Sequence, residues 1–125
     1  MIDGGLRPTF RKKLPHFFWL SVESYVEPGI PDSYYCCDGV SGWIEFKKTE
    51  ANKIKSLTVS QTAWHLRYSR KGGRSFFFVR RNKELFAFLG SDGEYLFELG
   101  IKGVAPLSSW IMPWNWLEIE ALLTG

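Results

Sequence analysis

Two carboxylates and an ammonium, Asp32, Glu45 and Lys47, fall within the stretch Gly29 to Lys47. Those residue types suit phosphodiester hydrolysis, which is fast when a hard cation neutralises the phosphate and lowers the pKa of a bound water. Magnesium takes oxygen ligands and usually accepts only one or two carboxylates from a protein. Asp32 and Glu45 supply such a pair, with the main-chain carbonyl of Phe46 as a third oxygen. Lys47 could hydrogen-bond the attacking water or neutralise charge on the pentavalent phosphate, and a fixed cation beside two acids also keeps them ionised. The spacing alone is weak, because Glu-x-Lys on the wet face of a hairpin is equally read as solvated polarity.

The surrounding elements decide whether these groups meet. Two apolar or aromatic runs, Ser33 to Cys37 and Trp43 to Phe46, flank the turn-forming segment Asp38 to Gly42 and predict a β-hairpin. Alternation puts Glu45 and Lys47 on one face, Ile44 and Phe46 on the other. A register with Cys36 opposite Trp43 sets Asp32 opposite Lys47; a slip of one residue would send Asp32 to the far face. Upstream, Pro8 opens a short helix, Thr9 to Leu14, stopped by Pro15. Phe17 to Tyr25 reads as a strand, with helix as the lesser reading, and Glu23 lies on its polar side.

Downstream, Lys48 to Ser56 is expected as an exposed, mobile connection. Thr58-Val59-Ser60-Gln61 has the form of a capping box and predicts a helix over Val59 to Arg70, with an apolar stripe of Val59, Ala63 and Leu66 and a stop at Gly72-Gly73. Ser75 to Arg80 reads as a strand buried on both sides. Leu85 to Leu89 and Glu94 to Leu99 flank Gly90 to Gly93 as a second hairpin, and Pro106 and Pro113 bracket a turn-rich segment before a helix from Trp114 to Leu123. Three antiparallel strands, a crossover helix and a returning strand describe a mixed sheet with helices against it.

A length of 125 residues with 45% hydrophobic content suits a single domain spanning 1–125. No apolar run approaches a membrane span, and the amino terminus lacks a signal-peptide pattern, so the expected location is the cytosol. The adjacent Cys36 and Cys37 suit neither a normal disulfide nor a structural zinc site. Net charge is only +3, but Lys47 to Lys83 holds eleven basic residues against one acid, Glu50. That imbalance is either a solvated basic face or a grip on a polyanion, nucleic acid first among them. Lys48, Lys53, Lys55, Arg67, Arg70, Lys71, Arg74, Arg80 and Arg81 are the expected phosphate contacts.

The run Pro31-Asp32 followed by Trp43-Ile44-Glu45-Phe46-Lys47 closely resembles the PD-(D/E)XK nuclease superfamily. More narrowly, Gly29-Ile30-Pro31-Asp32, Ile44-Glu45-Phe46-Lys47, Ser60-Gln61 followed by Trp64, the Gly72-Gly73 helix exit and Val79-Arg80-Arg81 resemble its VRR-NUC branch, which includes small phage-encoded members; Holliday-junction resolvases share the core pattern. The resemblance implies an α/β (α+β), restriction-endonuclease-like mixed sheet of order α-β-β-β-α-β, with a core over about 8–83 and a C-terminal extension over 84–125. It implies Asp32 and Glu45 as metal-binding acids, Lys47 as catalytic lysine, and Glu23 and Gln61 as positions that often complete the site. The function implied is a Mg²⁺-dependent endonuclease, with Mn²⁺ able to substitute, acting on branched DNA as a homodimer in a bacterial or phage-infected cytosol. No small-molecule cofactor or membrane is expected. The alternatives are a nicking or restriction-like nuclease on linear DNA, or a non-catalytic nucleic-acid-binding domain. Trp110, Trp114 and Trp116 are read as core or interface rather than base-stacking platforms.

Overall fold

Asp38 and Gly39 both take positive φ, 51° and 80°, the backbone of a two-residue hairpin turn for which Asp-Gly is a preferred sequence. They join β2 (Ser33–Cys37) to β3 (Val40–Lys48). The computed structural model describes residues 3–23 and 26–125, so the expected strand end at Ser24 and Tyr25 lies outside the described residues. The turn is shorter than the sequence pattern suggested, and the register moves with it: Tyr34 pairs with Trp43 and Ser33 with Ile44. Asp32 therefore aligns with Glu45, not Lys47. The displacement is two residues, one full pleat, so Asp32 keeps the face that it shares with Glu45 and Lys47.

β1 (Phe18–Ser21) pairs with β2, and shortens the expected strand to four residues. After β3 the chain crosses through α2 (Val59–Arg70) and returns as β4 (Ser75–Arg81), parallel to β3. β5 (Glu84–Leu89) and β6 (Ser108–Ile111) complete a six-stranded mixed sheet in the order β1-β2-β3-β4-β5-β6. The remaining helices are α1 (Leu6–Lys13), α3 (Gly93–Leu99) and α4 (Trp116–Thr124). This is the mixed α/β architecture expected from the order of elements.

Alternation along the central strands divides the apolar residues into two layers. Ile44, Phe46, Phe76 and Phe78 pack with Leu6 and Phe10 of α1 and Ile119 and Leu123 of α4. Phe77, Val79, Phe86 and Phe88 pack with Ile54, Leu57 and Leu96 on the other side. Glu45 and Lys47 belong to that second layer. β4 is thus buried on both faces, as its near-continuous apolar sequence predicts.

Three other expectations are corrected. Glu94 to Leu99 is helical: Gly90 and Gly93 do not make a hairpin turn but let the chain lie close on the layer beneath, where a Cβ on Gly90 would come within 1.9 Å of Ser75 Oγ. The buried face of α2 is Thr62 and His65, while Val59 is 64% exposed. Hydrophobicity did not mark that face because its two side chains are polar and buried through hydrogen bonds, Thr62 Oγ1 donating to Val59 O at 2.8 Å and His65 Nδ1 bonding Ser75 Oγ at 2.8 Å, while His65 Nε2 is buried without a partner among the described residues. The Lys48 to Ser56 connection is held down: Ile54 and Leu57 are buried, and Thr49 Oγ1 donates to the carbonyl of Lys53.

The loop into β2 is fixed against α2 at Gly29. Its φ is +83°, and a Cβ there would lie 2.1 Å from the carbonyl oxygen of Ser60. Gly29→Ala adds both backbone strain and a main-chain clash and is expected to cost about 2–4 kcal/mol, read as a lower urea midpoint at unchanged m-value. An unchanged midpoint would show that this packing is not what holds the loop.

Candidate active site

β3 carries the site because its outer half has no strand partner on one side. The N–H groups of Trp43 and Thr49 bond carbonyls of Arg74 and Arg80 along β4. The alternate residues Ile44 and Phe46 turn the other way, where β2 ends at Ser33 and the chain before it supplies a side chain instead. Phe46 N–H donates to Asp32 Oδ2 at 3.1 Å, and Ser33 Oγ donates to Asp32 Oδ1 at 2.8 Å. The carbonyl of Phe46 leaves the strand on this same open side.

Glu45 and Lys47 are nearly inaccessible, with side chains 6% and 4% exposed. Lys47 Nζ lies 3.4 Å from Glu45 Oε2 and donates to the carbonyl oxygen of Ser56 at 2.8 Å. An ammonium has three donors, so one remains for a group in the cleft. Burial raises the Asp32 carboxyl above its usual range, against the hydrogen bonds from Ser33 and Phe46. Burial, then the charge of Asp32, pushes Glu45 up to about 8, only partly opposed by Lys47. Near neutral pH the two acids therefore share one proton, held on Glu45. His65, in the same layer, is driven down to about 3 by burial and by Lys47, and is neutral.

These groups open into a cleft of about 620 Å³, lined by Asp32, Glu45, Phe46, Lys47, Glu23 and Gln61 together with Asp3, Arg7 and Ser56. All five side chains singled out in the sequence thus reach one cavity, though not in equal ways. Glu23 is exposed at the rim. Gln61 is committed to its helix: its Oε1 accepts from Thr58 N–H at 3.0 Å, and its N–H donates to Thr58 Oγ1 at 3.2 Å.

No family model and no curated protein matches the chain. Among solved structures it is similar to the Holliday junction resolvase Hjc of the archaeal hyperthermophile Archaeoglobus fulgidus, at 15% identity over 66% of this chain and 74% of that one, with a TM-score of 0.46.

Sequence reasoning missed Asp3 and Arg7. Asp3 caps α1, accepting from Gly5 N–H at 2.9 Å and Arg7 N–H at 3.2 Å, and its carboxylate lies 3.5 Å from the Arg7 side chain. The Asp32 carboxyl, raised by burial, is opposed in part by the charge of Arg7. The available signal was an Asp four residues before an Arg at a helix start. The Ser56 carbonyl that holds Lys47 carries no side-chain signal at all.

The nine expected phosphate contacts do not form one patch. Lys48, Lys53 and Lys55 lie in and beyond the end of β3, Lys48 and Lys55 lining a cavity apart from the cleft, whereas Arg70, Lys71 and Arg74 lie at and beyond the far end of α2, about 18 Å along its axis. Arg67 lies 3.5 Å from Glu27, Arg81 3.5 Å from Glu84, and Arg74 donates to the carbonyl oxygen of Gly125. Among the described residues no group of three or more His, Cys, Asp or Glu side chains is placed to hold a metal, and no helix is long and apolar enough to cross a membrane.

Proposed function

We propose that this chain is a Mg²⁺-dependent endodeoxyribonuclease of the PD-(D/E)XK type, VRR-NUC branch, one domain over 1–125 that cleaves branched DNA such as four-way junctions as a homodimer. The observation that carries this reading is the convergence of Asp32, Glu45 and Lys47 on one cleft. The donor set fits a hard divalent ion: two adjoining carboxyls, desolvated until they retain a proton between them, are a site that a cation completes by displacing that proton. Asp32, Glu45 and the Phe46 carbonyl would hold it. Mg²⁺, or Mn²⁺ in its place, supplies charge neutralisation and a water of lowered pKa when bound.

The chain's own residues do the rest. Lys47, anchored on Ser56 O and Glu45, directs its free N–H into the cleft, where it orients the attacking water and opposes charge on the phosphate. Arg7 faces the same space and offers a fork for a phosphate oxygen. Glu23, at the rim, takes a further water or metal contact. Lys48, Lys53 and Lys55 contact the backbone beside the cut, with Arg67, Arg70, Lys71, Arg74, Arg80 and Arg81 contributing a diffuse positive field. Contacts of this kind read shape rather than sequence.

A labelled four-way junction and a matched linear duplex, digested side by side in Mg²⁺, test the proposal. The junction is expected to be cut at least tenfold faster. Equal cutting would turn the reading to a nicking or restriction-like enzyme on linear DNA, and binding without cleavage products to a non-catalytic nucleic-acid-binding domain.

A further inference from the structure

Across α1 from the cleft lies a second cavity of about 460 Å³, walled by Met112, Pro113, Trp114 and Trp116 and rimmed by Lys13, Arg80 and Lys83. Its aromatic wall is rigid. Trp114 Nε1 donates to the carbonyl of Lys83 at 2.9 Å, and Trp116 packs edge-on against Phe10 and Trp114, with ring centroids 4.9 and 6.1 Å apart. Trp114 is core, but Trp116 is only half-buried and Met112 is 41% exposed.

The rim is what core packing leaves unexplained. Arg80 lies over the Trp114 ring at 5.3 Å and is held there by donating from Nε to the carbonyl of Asn82 and from Nη1 to that of Gly4. Lys13 and Lys83 are exposed, and among the described residues neither is ion-paired and no acid lines the cavity. Three cations around a half-buried aromatic surface repel one another until an anion joins them. The complementary ligand is flat and apolar on one side and anionic on the other, which describes a nucleotide: base against Trp116, phosphate on the lysines.

Position adds to chemistry. α1 sends Arg7 and Pro8 into the cleft and Lys13 to this cavity. Arg80 bonds Gly4, the neighbour of the cleft residue Asp3, and pairs in the sheet with Lys48, which follows Lys47. We propose that the cavity receives one unpaired nucleotide of a DNA strand whose backbone lies in the cleft; the proposal rests on the reading of the chain as a DNA-acting protein.

The test uses three fluorescein-labelled duplexes, identical except that one is fully paired, one carries a single unpaired thymidine and one an abasic nucleotide at that bulge. Anisotropy is measured with the whole protein in chelator. The thymidine bulge is expected to bind about tenfold tighter than the other two, a gain lost in Trp116→Leu and in Lys83→Glu but kept in Trp116→Phe. Lys83 is exposed, so its variant reads the site even if Trp116→Leu fails to fold. Equal affinity for thymidine and abasic bulges, or a gain that survives Lys83→Glu, overturns the proposal. Junction cleavage in Mg²⁺, assayed separately, keeps the two readings apart: cutting without base discrimination removes only this cavity's role, and discrimination without cutting removes only the nuclease.

Discussion

Lys47→Met is expected to slow Mg²⁺-dependent DNA cleavage about 10²–10³-fold while leaving the chain folded. Methionine keeps the length of the buried stem, which is 4% exposed, and removes the cation paired with Glu45. Glu45 answers by holding its proton more tightly, so no bare charge is left inside and the loss of stability is small compared with severing a pair whose partner must stay ionised. Asp32→Asn should do similar damage to cleavage, since it withdraws a carboxylate oxygen from the cleft while still accepting one of the two hydrogen bonds from Ser33 and Phe46. Single-turnover cleavage beside a thermal melt separates chemistry from folding. A Lys47→Met protein that cuts within tenfold of the parent would remove the lysine from the mechanism.

The metal-free protein should lose stability as the pH rises from about 6.5 to 8. Glu45 has its carboxyl raised to about 8 in the fold, so the native chain binds a proton that the unfolded chain has released, and stability falls with rising pH until that proton leaves. His65 acts with the opposite sign: lowered to about 3, it stays neutral in the fold while the unfolded imidazole charges below 6.5, so stability falls as pH drops through that range. The two slopes oppose each other between about pH 4.5 and 6.5, giving a plateau. Above it Glu45 sets the slope, and the decline to pH 8 amounts to about 2 kcal/mol. Calorimetry should record it as a Tm drop of roughly 5–10 °C, reversed by saturating Mg²⁺ with release of about one proton. Glu45→Gln should flatten the decline and abolish the response to the ion. A parent protein whose Tm holds level or climbs over that interval would contradict the buried, proton-sharing pair.

Much of this arrangement was legible in the sequence, for reasons that can be named residue by residue. The capping box at Thr58 and Gln61 is a local, self-contained signal, and it set the bounds of α2 as observed. The apolar run of β4 could be satisfied only between two layers. Parity carried the cleft: even with the turn misjudged, a two-residue displacement left Asp32, Glu45 and Lys47 on one face. What stayed hidden depended on distant partners. The glycines at 90 and 93 look like a turn until His65, Ser75 and Phe77 are seen pressing against them. Thr62 and His65 look like surface until their hydrogen bonds are known. Arg7 enters the cleft only because α1 packs through Leu6 and Phe10 across the sheet from Glu45 and Lys47.

The tight turn at Asp38 and Gly39 constrains how this hairpin could diversify. It lies at the opposite end of the ribbon from the cleft, in open space where a Cβ on Gly39 would touch nothing, and such tips ordinarily accept changes in chain length freely. Here the bookkeeping is odd versus even. A pairing that slipped by a single residue would exchange the partners of every position in β2, swing Asp32 into the other layer and bring Ser33 out in its place, whereas a slip of two would only slide the acids past one another. Descendants of this hairpin must therefore keep the parity of the pairing whatever the length of the tip, and the remote turn that fixes that parity governs the cleft without contributing an atom to it.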